Sequence, residues 1–85
     1  MNRRRLLQKL ASGSFNNVSF ADARNLVEGF GFKLARTSGS HHIFIHQDIP
    51  QQINIQNSGG QAKPYQLRQL VRLIEMYNMI LEDDD

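Results

Sequence analysis

The segment Thr37-Ser-Gly-Ser-His-His-Ile-Phe-Ile-His46, TSGSHHIFIH, decides how this chain folds. Ile43, Phe44 and Ile45 are strand formers, and Ser38-Gly39-Ser40 ahead of them makes a tight turn. A first strand leads into that turn over Phe32 to Thr37, where Phe32 and Leu34 alternate with Lys33 and Ala35. So short a connection joins antiparallel neighbours. Strand side chains alternate between faces, which sends His41 and His42 to opposite sides of the sheet.

On the far side of His46, Asp48-Ile-Pro50 is expected to break the second strand, because proline cannot donate to a ladder. Gln52-Ile-Asn-Ile-Gln56 alternates strictly and reads as a third strand, with Ile53 and Ile55 buried and the amides outside. Asn57-Ser-Gly-Gly-Gln61 reads as a flexible loop, with an anion-binding nest at Gly59-Gly60 as the functional alternative. Pro64 suits the first position of a helix whose apolar stripe is Leu67, Leu70, Val71, Ile74 and Leu81. Leu73, Met76, Tyr77 and Ile80 widen that stripe and predict cover on more than one side.

Upstream, Ser19 suits a helix N-cap, with Asp22 three residues later as in a capping box. Phe20, Ala23, Leu26, Val27 and Phe30 lie on one helical stripe, which Gly29 or Gly31 can end. Residues 2–11 form a short amphipathic helix carrying Leu6, Leu7 and Leu10, followed by a loop over 12–17. The expected organisation is an N-terminal arm or short helix (1–18), one domain (19–81) and an acidic tail (82–85). The fold class is α+β, an α-β-β-β-α layout with two helices on one face of a three-stranded antiparallel sheet. That layout includes the double-stranded-RNA-binding fold.

At 85 residues with no cysteine, the chain is one domain without disulfides or thiolate metal sites. No apolar run approaches a membrane span and no signal-peptide core follows the N-terminal arginines, so a soluble cytoplasmic protein with no membrane partner is expected. The net charge of +2 conceals an asymmetry. Without Glu82–Asp85, ten bases face four acids, a surplus of +6 that attracts polyanions, nucleic acid above all. The plain alternative is a solvated surface with an acidic tail.

Three histidines, His41, His42 and His46, fall within six residues. A metal site fits them poorly. His42 and His46 share a face but stand about 13 Å apart along a strand, whereas zinc nitrogens lie only about 2 Å from the ion. No cofactor is indicated. General acid–base chemistry fits better, since imidazole titrates near neutrality. Lys33, Arg36 and Lys63 are placed to neutralise phosphate. The structural alternative is one ring satisfying backbone groups and one solvated. Arg68 and Arg72, four apart on the last helix, either hold phosphates, meet an acidic partner or face solvent. Arg3-Arg4-Arg5 reads as a solvated helix start or an RNA guide. Phe44 reads as core, while Tyr65 is a candidate to stack a base.

Gly39-Ser40-His41 opening a strand, after a helix ending in Gly29-Phe-Gly-Phe32, resembles the HicA family of toxin–antitoxin mRNA interferases. The pattern continues through Ile43-Phe44, His46, the Asp48 turn, the Ile-rich strand and Lys63-Pro64, over about residues 19–80. The resemblance implies a double-stranded-RNA-binding-like fold that cleaves messenger RNA and is silenced by a HicB-like antitoxin. It puts the catalytic role on His41, with Gly39 and Ser40 shaping the turn and contacting phosphate, and His42 in support. The chain departs from the family in its longer segment 1–18 and in a loop at 57–61 that is not basic. The rival expectation is a non-catalytic RNA-binding module of the same fold. A third is a protein-interaction adaptor with no nucleic-acid role.

Overall fold

The computed structural model describes residues 1–82. The elements are α1 (Arg3–Ala11), α2 (Phe20–Gly29), β1 (Lys33–Ser38), β2 (His41–His46), β3 (Ile49–Gln56) and α3 (Pro64–Tyr77). The strands form one antiparallel sheet in the order β1-β2-β3. The chain is thus α+β, with the α-β-β-β-α arrangement of the double-stranded-RNA-binding fold in α2 through α3 and α1 added before it.

Local signals start the helices where the chemistry requires. Ser19 caps α2, its side chain accepting from the Asp22 N–H at 3.0 Å. Pro64 occupies the first turn of α3. The core lies between the helices and one face of the sheet: Ala23, Leu26, Val27, Phe44, Ile53, Ile55, Leu67 and Leu70 are all fully buried. Each large side chain buried this way contributes about 1.5–3 kcal/mol. Leu6 and Leu10 of α1 are buried in the same cluster, so the N-terminal segment is a packed helix. Arg3 does not stand free as an RNA guide would. Its Nε donates to the Asn25 carbonyl and Oδ1 at 3.0 and 3.1 Å, and its Nη1 donates to the Glu82 carbonyl at 3.1 Å.

Four expectations need correction. Pro50 does not separate the strands; it lies inside β3, which begins at Ile49. It is tolerated because β3 is an edge strand and the ladder is irregular there, jumping from Phe44↔Ile53 to His46↔Ile49. Strand β1 is exposed along its whole length, and Ala35 is an extra residue bulged between the pairs Leu34↔Phe44 and Arg36↔Ile43. Helix α3 stops at Tyr77, where Asn78 takes the left-handed conformation (φ 51°). Met76 inside the helix and Ile80 beyond its end are both exposed, so the wide stripe is covered on one side only.

The fourth concerns the loop 57–61. Ser58 and Gln61 pair across Gly59-Gly60, whose φ values of 60° and 87° match a type I′ turn. Phe20 N–H donates to the Gly60 carbonyl and Ala62 N–H to the Val18 carbonyl, which pins the loop to the start of α2. At the C-terminus, Glu82 is tied down by its N–H to the Gly29 carbonyl (2.8 Å), and the rest of the expected acidic tail, residues 83–85, lies outside the described residues. Among the described residues, no helix is long and apolar enough to cross a membrane.

Candidate active site

The ladder assigns each side chain of the sheet to a face. Phe44, Ile53 and Ile55 point into the core, so their partners Leu34 and His42 share the helix-covered side. The opposite, open face carries three rows: Ser38, His41 and Gln56; then Arg36, Ile43 and Asn54; then Lys33 and Ile45. His41 and His42 therefore diverge, as alternation requires.

His41 follows the two-residue turn Gly39-Ser40, across which Ser38 pairs with His41. Gly39 has φ +59° and Ser40 is not left-handed, the pattern of a type II′ turn. A Cβ on Gly39 would meet nothing within 4 Å, so the turn demands glycine for its backbone angle alone. The Ser40 carbonyl accepts from the Asn57 N–H at 2.8 Å and from His42 Nδ1 at 3.0 Å. These bonds anchor the turn to β3 and fix the start of β2. The imidazole of His41 is exposed, and its Nδ1 accepts from Asn54 Nδ2 at 2.8 Å. That leaves Nε2 as the ring nitrogen open to a substrate.

His42 has a different environment. Its ring packs on Phe20 of α2, centroids 4.5 Å apart, and it is half-buried. His46 packs edge-on against Phe32 at 5.2 Å and accepts at Nδ1 from the Asp48 N–H at 3.0 Å. Among the described residues, no three His, Asp or Glu side chains gather as a metal site would need.

The cations divide by location. Arg36 stands diagonally across from His41 on the open face, at roughly 7–8 Å for such neighbours. Lys33 is on the same face but farther along β1, at the rim of a groove of about 800 Å³, which Phe30, Gly31, Ile45, His46 and Asp48 also line. That groove lies at the opposite end of β2 from His41 and takes no part in its surroundings. Lys63 sits at the start of α3, near the His41 end of the sheet, since Gln66 one turn on accepts through Oε1 from the Gln56 N–H at 2.6 Å. Arg68 stacks over the Phe15 ring at 5.0 Å, and Arg72 follows one turn later; both belong to the helical layer and not to the His41 face. Tyr65 is exposed, and its hydroxyl accepts from Gln66 Nε2 at 3.3 Å. Phe44 is fully buried.

Asn54 was not distinguishable in the sequence from the other outward amides of its strand. Its position beside His41 depends on a cross-strand register interrupted by the irregularity around Pro50.

No curated protein and no solved structure matches the chain at a significant level. Residues 20–76, from the start of α2 almost to the end of α3, match the family model for the HicA toxin of bacterial toxin–antitoxin systems. The match takes in more than half of the chain and all three strands, and the chain belongs to the HicA toxin family, whose members act beside a cognate antitoxin.

Proposed function

We propose that this toxin is an endoribonuclease that cleaves messenger RNA without a metal, with His41 as general acid and base, and that a HicB-type antitoxin silences it. The observation that carries the reading is the contrast on β2. Of its three imidazoles, His41 alone is exposed on the open face of the sheet, with one ring nitrogen hydrogen-bonded and the other left for substrate. An uncovered sheet face admits an RNA strand without rearrangement of the core.

The chemistry needs one proton acceptor beside a ribose 2′-hydroxyl. His41 Nε2 takes that proton, the 2′-oxygen forms a bond to phosphorus, and the bond from phosphorus to the 5′-oxygen breaks. The 5′-oxygen leaves as an alcohol, its proton supplied by the imidazolium or by water, and a 2′,3′-cyclic phosphate remains. Arg36, diagonal to His41, offsets the charge that builds on the phosphate. Lys33 extends the cationic strip along β1. An antitoxin that covers this face blocks substrate and imidazole together.

Incubation of the purified protein with a long single-stranded RNA in the presence of a chelator tests the reading. Fragments ending in cyclic phosphate are expected, and they disappear when HicB-type antitoxin is added. RNA that is retarded yet intact overturns the nuclease in favour of a binding module. Partner binding that is tight and insensitive to salt, with no RNA affinity, favours an adaptor.

A further inference from the structure

We infer that Asn54 is the positioning residue for His41 and selects which nitrogen of that ring meets the RNA; the inference rests on the nuclease reading above. Asn54 lies on the open face of β3, paired with Ile43 and diagonal to His41. Its amide nitrogen is 2.8 Å from His41 Nδ1. Its Oδ1 is buried and has no hydrogen-bond partner.

These two observations belong together. An amide nitrogen only donates, so the observed contact requires a lone pair on Nδ1 and places the hydrogen of a neutral ring on Nε2. That ring cannot accept a proton at Nε2. Taking the 2′-proton requires the other tautomer, with hydrogen on Nδ1 and a lone pair on Nε2. The imidazolium formed afterwards also carries hydrogen on Nδ1. Both working forms therefore need an acceptor where Nδ2 now stands, and a half-turn of the amide supplies one by bringing Oδ1 to Nδ1. The terminal torsion of asparagine is soft, and no hydrogen bond to Oδ1 opposes the turn.

The surroundings leave this role to Asn54. Ser38 on β1 and Gln56 on β3 flank His41 in its own row; both are uncharged, and although each carries an acceptor oxygen, neither bonds to the ring, whereas Asn54 does. Arg36 is the charged group facing it from β1, and a guanidinium cannot accept from Nδ1–H. The strand holds the Asn54 backbone in place while its amide alternates, so the ring keeps its position through both proton transfers.

Two substitutions separate this role from plain packing. Asn54→Leu keeps the volume on a strand face and removes both hydrogen-bonding atoms. It is expected to lower kcat by about tenfold to a hundredfold with KM within about twofold and melting temperature unchanged. Asn54→Asp offers only acceptors. It should recover kcat to within about threefold of the parent and move the pH profile of cleavage upward by about one unit, because a carboxylate favours the imidazolium. Nitrogen NMR of the His41 ring reads the same coupling without RNA, as a change in the Nδ1–Nε2 proton distribution in Asn54→Leu. Parental kcat in Asn54→Leu overturns the inference, as does an Asn54→Asp protein as impaired as Asn54→Leu with an unshifted profile. If the parent cleaves no RNA, the nuclease reading falls by itself and the ring signals decide: an unchanged His41 spectrum in Asn54→Leu overturns the coupling, and a redistributed one upholds it.

Discussion

Strand β2 has a histidine at each end and a left-handed glycine beside each histidine, yet the two ends behave as different materials. At the start, Gly39 (φ +59°) forms a turn with free space around it, and His41 stands exposed on the open face. At the finish, Gly31 (φ +91°) lies under His46, so close that a Cβ would come within 2.9 Å of Nε2. His46 is further held by Phe32 and the Asp48 N–H. Residue type, strand and neighbouring glycine are the same, so the difference lies in what each ring touches. A ring touched from several sides contributes packing; a ring held at one nitrogen keeps the other for chemistry.

The largest effect expected from this contrast is at His41. Replacement by alanine should reduce RNA cleavage by about 10²–10⁴-fold, the usual contribution of a positioned acid or base. Folding stability should stay within about 0.5 kcal/mol, since the side chain is exposed. The companion His42→Ala reverses the pattern. It removes the Phe20 contact and the bond to the Ser40 carbonyl, for about 1–2 kcal/mol of stability, while cleavage per folded molecule falls far less. Initial rates on a defined RNA, paired with thermal melts, read both quantities. A His41→Ala protein that cleaves at the parental rate breaks the comparison outright.

The two glycines give the next effect. Alanine at either must adopt a left-handed backbone, which costs about 1–2 kcal/mol. At Gly39 nothing else is added, because the space is open. At Gly31 the new methyl also displaces an imidazole pinned on two sides, bringing the total to about 2–4 kcal/mol. Gly31→Ala should therefore melt lower than Gly39→Ala by several degrees, about 4–8 °C per kcal/mol in a domain of this size. Equal melting temperatures would show that the His46 end relaxes as freely as the turn at Gly39.

How much of this was legible in the sequence follows from the range of the interactions. Ser19 capping α2, Pro64 opening α3 and the alternation that parts His41 from His42 are set within three or four residues, and each is readable from the chain alone. The exposure of His41 follows from that alternation once helices cover one face. The beginning of β3, in contrast, depends on whether the sheet has a free edge at Pro50, which no local window contains. The bulge at Ala35 and the irregularity beyond Phe44 arise from fitting strands against one another, so the row that joins Arg36, Ile43 and Asn54 cannot be counted from the sequence. Asn78 was readable in principle: an asparagine after the last apolar turn is a recognised helix stop, and the longer apolar stripe out to Leu81 obscured it.

The smallest effect separates the two layers and not the two ends of β2. Arg36 shares the open face with His41, whereas Arg72 belongs to the helix layer on the other side of the sheet. If RNA lies on the open face, Arg36→Gln removes one phosphate contact. KM should rise a few-fold, and the slope of log affinity against log salt should flatten by about 0.7, the value for one charge on a single strand. kcat should fall a few-fold as well, because the same guanidinium offsets the charge that builds on the phosphate. Arg72→Gln should alter neither KM nor slope. The comparison is sharp because both substitutions remove one positive charge from an exposed arginine, so the effect on net charge cancels and only location remains. A flattening of equal size in Arg72→Gln would route the RNA over the helices, away from the face that His41 occupies.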